Sequence, residues 1–417
     1  EIKECDWSSD VCSSDLRVMI LNGIDRLIAA PEVYTPFKKI GLVSNSKAVT
    51  AGFKINLHAL AEAGFDVRFI FSPEHGYFAN IRDGDYISDA EHPELKTPIL
   101  SLFTEGHSRN AIVEALDGGG ADAIVFDIQD AGVRFYTYIH ALGLALSAAG
   151  ELGLPILVLD RINPAGASIV EGGLPRPGYA SELCPFDIPV RYGLTIGELA
   201  NYLAGAVYKK ADLTVVKLSE QYSRSMIFAG TGLKWNAPSP AMVSPDTALF
   251  YPGTCLFEGT NLSEGRGTEA PFQTIGAPFL AADRAAEALR SNFKKLGIDE
   301  FDFISCGAAD FTPASSKFEN TPCKGLRLDF EGGALSGFRA LLFGVLLLKT
   351  IYDLHRGDFK FLFSEKSRKF FIDRLCGGPE LRETVTGGDI CGVYELYLKW
   401  SEESQAFSLA AESAKLY

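Results

Sequence analysis

Between Phe37 and Asp160 the chain alternates short apolar runs with helix-like stretches, and this alternation constrains the fold more than any other feature. The runs Lys39–Ser44, Asp66–Phe71, Ala121–Phe126 and Pro155–Leu159 have strand length. Leu57, Leu60 and Ala61 recur with helical spacing before Gly64, which suits a helix end. Further helices are expected around Asn110–Leu116 and over Tyr136–Leu152. Strands separated by helices cannot pair through tight hairpins, so they join by crossovers into a parallel sheet. Runs that are apolar at nearly every position fit strands covered on both faces by helices. The expected class is therefore α/β.

Beyond Asp160 a proline-rich irregular stretch runs from Asn163 to Tyr192, and Thr195 with Glu198 then forms a capping box. Asp212–Leu218 reads as a further strand. After a loop-rich region from Trp235 to Pro278, Ala281–Leu296 is an amphipathic helix, Leu326–Phe330 a strand and Gly337–Leu354 a helix; the tail, 365–414, reads as mostly helical. A chain of 417 residues is long for one core, so two lobes are expected. The boundary is placed near Gly230–Trp235, giving 17–232 and 233–417. Glu1–Leu16 is rich in Asp, Ser and Cys and has no apolar period, so it is set aside as a non-native leader.

Composition narrows the partners. A net charge of −14 disfavours nucleic acid and anionic lipid surfaces. No apolar run approaches the ~20 residues of a membrane span. The six cysteines after the leader are scattered without a C-x-x-C pair, which fits buried thiols. The chain has no phosphate loop, no dinucleotide fingerprint after the first strand, no nucleophile elbow and no His pair with metal-ligand spacing, so no cofactor and no metal are expected.

Each of the first four strands runs into a polar cluster: Asn45-Ser46, Ser72-Pro73-Glu74-His75-Gly76, Asp127-Ile128-Gln129-Asp130, and Asp160-Arg161. Open parallel sheets bind ligands at the carboxyl ends of their strands, so these clusters are expected on one rim. Proline stiffens the second cluster and Gly76 permits a sharp turn. That would present Glu74 rigidly as a general acid, with His75 orienting it. Asp127, Asp130 and Arg134 read either as sugar-hydroxyl ligands, with a carboxylate for the second catalytic role, or as an internal Asp–Arg pair. Tyr136 and Tyr138 could line a sugar site or pack in the core. The loop Glu258–Thr268 is dense in glycine, hydroxyl and charge, which suggests ligand binding through Asn261, Glu264 and Arg266. Trp235 could offer a face to a sugar ring, although burial is commoner.

SPEHG at 72–76, FDIQDAGVRFYTY at 126–138, DRINP at 160–164, RYGLTIGELA at 191–200 and FEGTNLSEGRGTEAPF at 257–272 together resemble the exo-β-N-acetylmuramidase NamZ family. The resemblance extends from Arg17 to Tyr417. It implies a Rossmann-like N-terminal lobe, a smaller α/β C-terminal lobe and a site in the cleft between them. It also implies export, and removal of terminal N-acetylmuramic acid from peptidoglycan fragments with Glu74 as the favoured catalytic residue. Asp130 and Glu264 are the further catalytic candidates, and His75, Asp127, Arg134, Tyr136, Asp160, Arg191, Asn261 and Arg266 the substrate-binding ones. The lactyl carboxylate of muramic acid needs a cation in this acidic chain, and Arg134, Arg266 and Arg191 are the candidates. DRINP and WNAPSP stand where the family carries DRPNP and WVPPSP. Two other readings remain: a Rossmann-like enzyme acting on a different sugar derivative, and a non-catalytic cell-wall sugar-binding protein.

Overall fold

The computed structural model describes residues 19–81, 85, 87–103, 108–332 and 335–417. The leader assigned to 1–16 lies outside the described residues. A seven-stranded sheet forms the centre of the first lobe: β1 (Lys39–Ser44), β2 (Asp66–Ser72), β3 (Ala90–Glu91), β4 (Pro98–Ser101), β5 (Ala123–Asp127), β6 (Pro155–Leu159) and β7 (Asp212–Val216). The spatial order is β3-β4-β2-β1-β5-β6-β7. All neighbours are parallel except the short edge strand β3, which runs antiparallel to β4.

Alternation along the strands fills both faces. Ile40, Leu42, Val125, Leu157 and Leu159 pack with Ile24, Leu27, Leu57 and Leu60 on one side. Val43, Ile124, Phe126, Ile156 and Val158 pack on the other with Leu142, Leu146 and Ala149 of the helix Tyr138–Leu152. Each fully buried aliphatic side chain contributes about 1.5–3 kcal/mol, so neither face can be left to solvent. The capping box holds as read: Thr195 accepts from the Glu198 amide at 3.2 Å, and the Glu198 carboxylate accepts from the Thr195 amide at 3.0 Å.

The second lobe carries a three-stranded antiparallel sheet of β8 (Thr274–Ala277), β9 (Ile304–Phe311) and β10 (Cys323–Phe330), in the order β8-β10-β9. It packs on the helix Ala282–Leu296, which packs in turn on the helix Ala340–Leu354. The tail opens with a hairpin, β11 (Phe363–Ser364) and β12 (Lys369–Phe370), and only then turns helical. One apolar cluster runs through both lobes, from Phe126 to Leu326 and Leu346. Among the described residues no helix is long and apolar enough to cross a membrane.

Candidate active site

Because β2, β1, β5 and β6 are consecutive in the sheet, their carboxyl ends form one rim. Much of that rim is bound up in itself. Asp127 is fully buried; Arg161 donates to its two oxygens at 2.6 and 2.9 Å, and the Asn56 amide adds a third bond at 2.7 Å. The internal Asp–Arg pair is therefore Asp127 with Arg161, not with Arg134. Asp160 accepts from the Thr195 hydroxyl at 2.8 Å, the Gly197 amide at 2.7 Å and the Tyr417 hydroxyl at 2.6 Å, which fixes the start of the helix Ile196–Ala206. Burial pushes its carboxyl up to about 6.

The β2 cluster differs from these. A cavity of about 1090 Å³ is lined by residues from 74 to 374 of the chain, and Glu74 and His75 form part of its wall. His75 has φ +70° and Gly76 φ +73°, so two successive left-handed residues reverse the chain just after the strand. His tolerates this conformation better than branched residues do. The imidazole is tied back, with Nδ1 2.9 Å from the Ile81 carbonyl oxygen. Glu74 is partly buried, and the Thr137 hydroxyl donates to its Oε2 at 2.6 Å. These contacts fix a carboxylate at the cavity surface.

Aromatic rings line the cavity beside it. Tyr251 meets Phe135, Tyr136 and Phe272 edge-on, with centroids 5.6, 6.0 and 4.7 Å apart. Such rings offer the apolar faces of a sugar a surface. On the second lobe, Glu258 and Arg266 line the same cavity, joined by a 2.5 Å bond from Nη2 to Oε1. Arg266 Nε also donates to Glu264 at 3.0 Å, and Lys317 lies 2.8 Å from Glu264. Burial alone would raise the Glu264 carboxyl, but Lys317 and Arg266 outweigh it and hold the group below its ordinary value. Arg266 also sits over the Phe272 ring at 5.1 Å.

Several residues singled out from the sequence fall elsewhere. Arg134 is fully buried and donates to the carbonyls of Gly173, Ile188, Leu375 and Cys376 at 2.6–3.1 Å. Arg191 is buried against Glu171 at 2.9 Å and the Phe338 carbonyl at 2.7 Å. Neither guanidinium lines the cavity. Asn261 stitches its loop to the chain at Asp358 and Lys360. Asp130 is buried, bonded by the Tyr192 hydroxyl and by the Gly132 amide at 2.6 Å. Trp235 packs on Phe228 and donates to the Met242 carbonyl, and it too is absent from the cavity wall. Tyr136 lines the cavity, whereas Tyr138 bonds Asn45 and the Pro238 carbonyl. Among the described residues no group of His, Cys, Asp or Glu is placed to hold a metal ion.

Two solved structures from Bacteroides fragilis, described as DUF1343 family proteins, share this architecture. One superposes with a TM-score of 0.82 at 26% identity, covering 96% of this chain and 99% of that one. The other gives 0.68 at 26% identity, covering 95% and 99%. Residues 40–246 match the family described as exo-beta-N-acetylmuramidase NamZ, N-terminal, and residues 249–417 match its C-terminal counterpart. The chain belongs to the NamZ family. A NamZ relative from Bacillus subtilis (strain 168), a peptidoglycan beta-N-acetylmuramidase, is 35% identical over 399 residues, 95% of this chain and 91% of that protein. As a NamZ member the chain is an enzyme, a glycoside hydrolase.

Within this NamZ chain the loops singled out by composition carry both cavity-lining side chains and side chains buried in internal bonds. Glu258, which opens the Glu258–Thr268 loop, lines the cavity, whereas Glu264, six residues on, is bonded by Arg266 and does not. Thr137, Tyr251 and Phe272 gave no signal, because a hydroxyl and two rings read as core until the lobes are brought together. Lys366, Lys369 and Arg374 also line the cavity and lay in a tail expected to be helical.

Proposed function

We propose that this enzyme removes terminal N-acetylmuramic acid from the non-reducing end of peptidoglycan fragments, bound in the cavity between the lobes, with Glu74 as the general acid. The observation that carries the reading is one large, aromatic-walled cavity whose lining includes Glu74, bonded by Thr137, and Glu258, bonded by Arg266. Glycoside hydrolysis asks for two such groups: one to protonate the leaving oxygen and one to act at the anomeric carbon, directly or through water or the substrate's own acetamido group. Glu74 takes the first role. For the second, Glu258 is better placed than Glu264, which stands behind Arg266, and than Asp127 or Asp130, which are buried in other bonds. The chemistry of a cell-wall substrate also favours the exported location that the family resemblance implies.

The test is Glu74→Gln, assayed on a muramic acid-containing disaccharide and on an aryl muramic acid glycoside. A general acid contributes roughly 10²–10⁴-fold, and an aryl oxide leaves readily without protonation whereas a sugar alkoxide does not. The variant should lose about that much on the disaccharide and far less on the aryl glycoside. Equal losses on both substrates would remove Glu74 from the acid's role; no loss on either would move the site elsewhere.

A further inference from the structure

Arg266 is committed to Glu258 and Glu264, and Arg134 and Arg191 are buried away from the cavity. The cavity nonetheless has three more cations, Lys366, Lys369 and Arg374, which fall within nine residues of chain. The chain as a whole carries 39 basic against 53 acidic residues, but the cavity lining reverses that balance, with four cations against Glu74, Glu182 and Glu258. The reversal is local and comes from one structural unit, the β11–β12 hairpin and the helix Phe371–Cys376 that follows it.

That unit is built to hold its position. Leu362 donates its amide to the Gly259 carbonyl at 2.9 Å, next to Glu258, and Phe371 donates to Leu362 at 2.8 Å. A β-carbon on Gly259 would come within 2.6 Å of the Ile372 backbone, so the helix lies against the segment that carries Glu258. Across the cavity, Lys369 donates to the Gly178 carbonyl and lies 4.4 Å from the Tyr179 ring centre. Arg374 stacks on Phe371 and is 3.9 Å from Glu182, a long and loose pairing. Lys366 is solvent-exposed at the tip.

We infer that Lys366, Lys369 and Arg374 form the carboxylate-recognition rim of this cavity and set its preference for acidic over neutral sugars. The inference rests on the proposed muramidase reading and deepens it by naming the side chains that select the acidic substrate. A carboxylate could reach the rim from the lactyl ether of the terminal sugar or from a later muramic acid in the leaving portion; both present the same anion. A rim of ammonium and guanidinium groups on the cavity wall would recognise it by charge-assisted hydrogen bonds.

The experiment compares wild type, Lys366→Ala, Arg374→Gln and Lys366→Arg on an aryl N-acetylmuramic acid glycoside and on its lactyl methyl ester. A third substrate is an oligosaccharide whose terminal N-acetylmuramic acid carries the lactyl methyl ester and whose leaving portion holds a muramic acid with a free carboxylate. The two charge-removing variants should raise KM for the carboxylate substrate by roughly tenfold and leave the ester within about twofold, with Lys366→Arg behaving as wild type. If the terminal lactyl group is the anion, the loss appears on the aryl glycoside; if the anion lies in the leaving portion, it appears only on the oligosaccharide. Parallel changes on acid and ester, or none on any substrate, would overturn the rim while leaving the muramidase reading intact. Wild-type enzyme inactive on every muramic acid substrate would overturn both.

Discussion

Asp130 and Asp160 share an environment and a consequence. Both are fully enclosed, and burial raises each carboxyl from the ordinary range to about 6 despite the hydrogen bonds they accept. The folded chain therefore holds these protons more tightly than the unfolded chain does. Between about pH 4 and pH 6 the native state binds more protons, so the stability they provide is complete at the acid end and is lost as pH rises through 6. For Asp130 the effect is on the order of 2–3 kcal/mol. An Asp130→Asn chain keeps the size and can still accept from Tyr192 and the Gly132 amide. Its melting temperature relative to wild type should rise between pH 4.5 and pH 8. A constant difference across that range would mean that Asp130 does not titrate there. Glu264, held low by Lys317 and Arg266, acts in the opposite sense, but in a more acid window: its stabilisation disappears only as pH falls through its depressed pKa. The sequence marked all three carboxylates as site candidates because composition does not reveal which lone pairs are already taken.

At the scale of elements, the turn after β2 converts strand geometry into a presented carboxylate. Ser72 is the last strand residue, Glu74 lines the cavity two positions on, and the chain reverses at His75 and Gly76. A side chain on Gly76 would carry the cost of a left-handed L-residue, about 1–2 kcal/mol, and its β-carbon would press on the Ile81 side chain at 3.3 Å. Gly76→Ala should thus lower stability by about that much while reducing kcat by tenfold or more, because the turn would relax by moving Glu74. Circular dichroism melts and turnover measured on the same preparation check the pair; full activity with lowered stability would show that the turn does not position the carboxylate. Proline and glycine made this turn readable in the sequence, as hydrophobic alternation did for β1, β2, β5 and β6. The pieces that escaped reading are short or amphipathic in both senses: β3 and β8 with two and four residues, β9 with an exposed face, and the β11–β12 hairpin, whose two-residue strands carry no period. Since that hairpin supplies the cavity's basic rim, the missed element and the missed cations are a single omission.

At the scale of the whole molecule, buried arginines tie together segments that are far apart in the chain. Arg191 pairs with Glu171, whose carboxylate also accepts from the Leu342 amide at 3.3 Å at the start of the helix Ala340–Leu354 and from the Tyr397 hydroxyl at 3.0 Å. Arg134 joins carbonyls of the irregular stretch, Gly173 and Ile188, to the last carbonyls of the helix Phe371–Cys376. Both arginines drew attention in the sequence as binders of a substrate anion, because an arginine in a polar motif looks the same whether its acceptor is a ligand or its own backbone. The two roles predict different behaviour for Arg134→Lys. A ligand-binding arginine would lose selectivity for the acidic sugar and keep its stability. A bolt between segments would do the reverse: one ammonium cannot reach four carbonyls that a planar guanidinium spans, and the acceptors left unpaired in the interior each cost about 1–3 kcal/mol. Arg134→Lys should therefore lower the melting temperature clearly and reduce turnover on all substrates, since the helix it anchors carries Phe371 and Arg374 on the cavity wall. The ratio of rates on muramic acid and N-acetylglucosamine aryl glycosides should fall no further than it does in Arg374→Gln, because Arg134 reaches the substrate only through the helix that carries Arg374. A collapse of that ratio at unchanged melting temperature would return Arg134 to the substrate and require the cavity to reach much deeper between the lobes than its lining indicates.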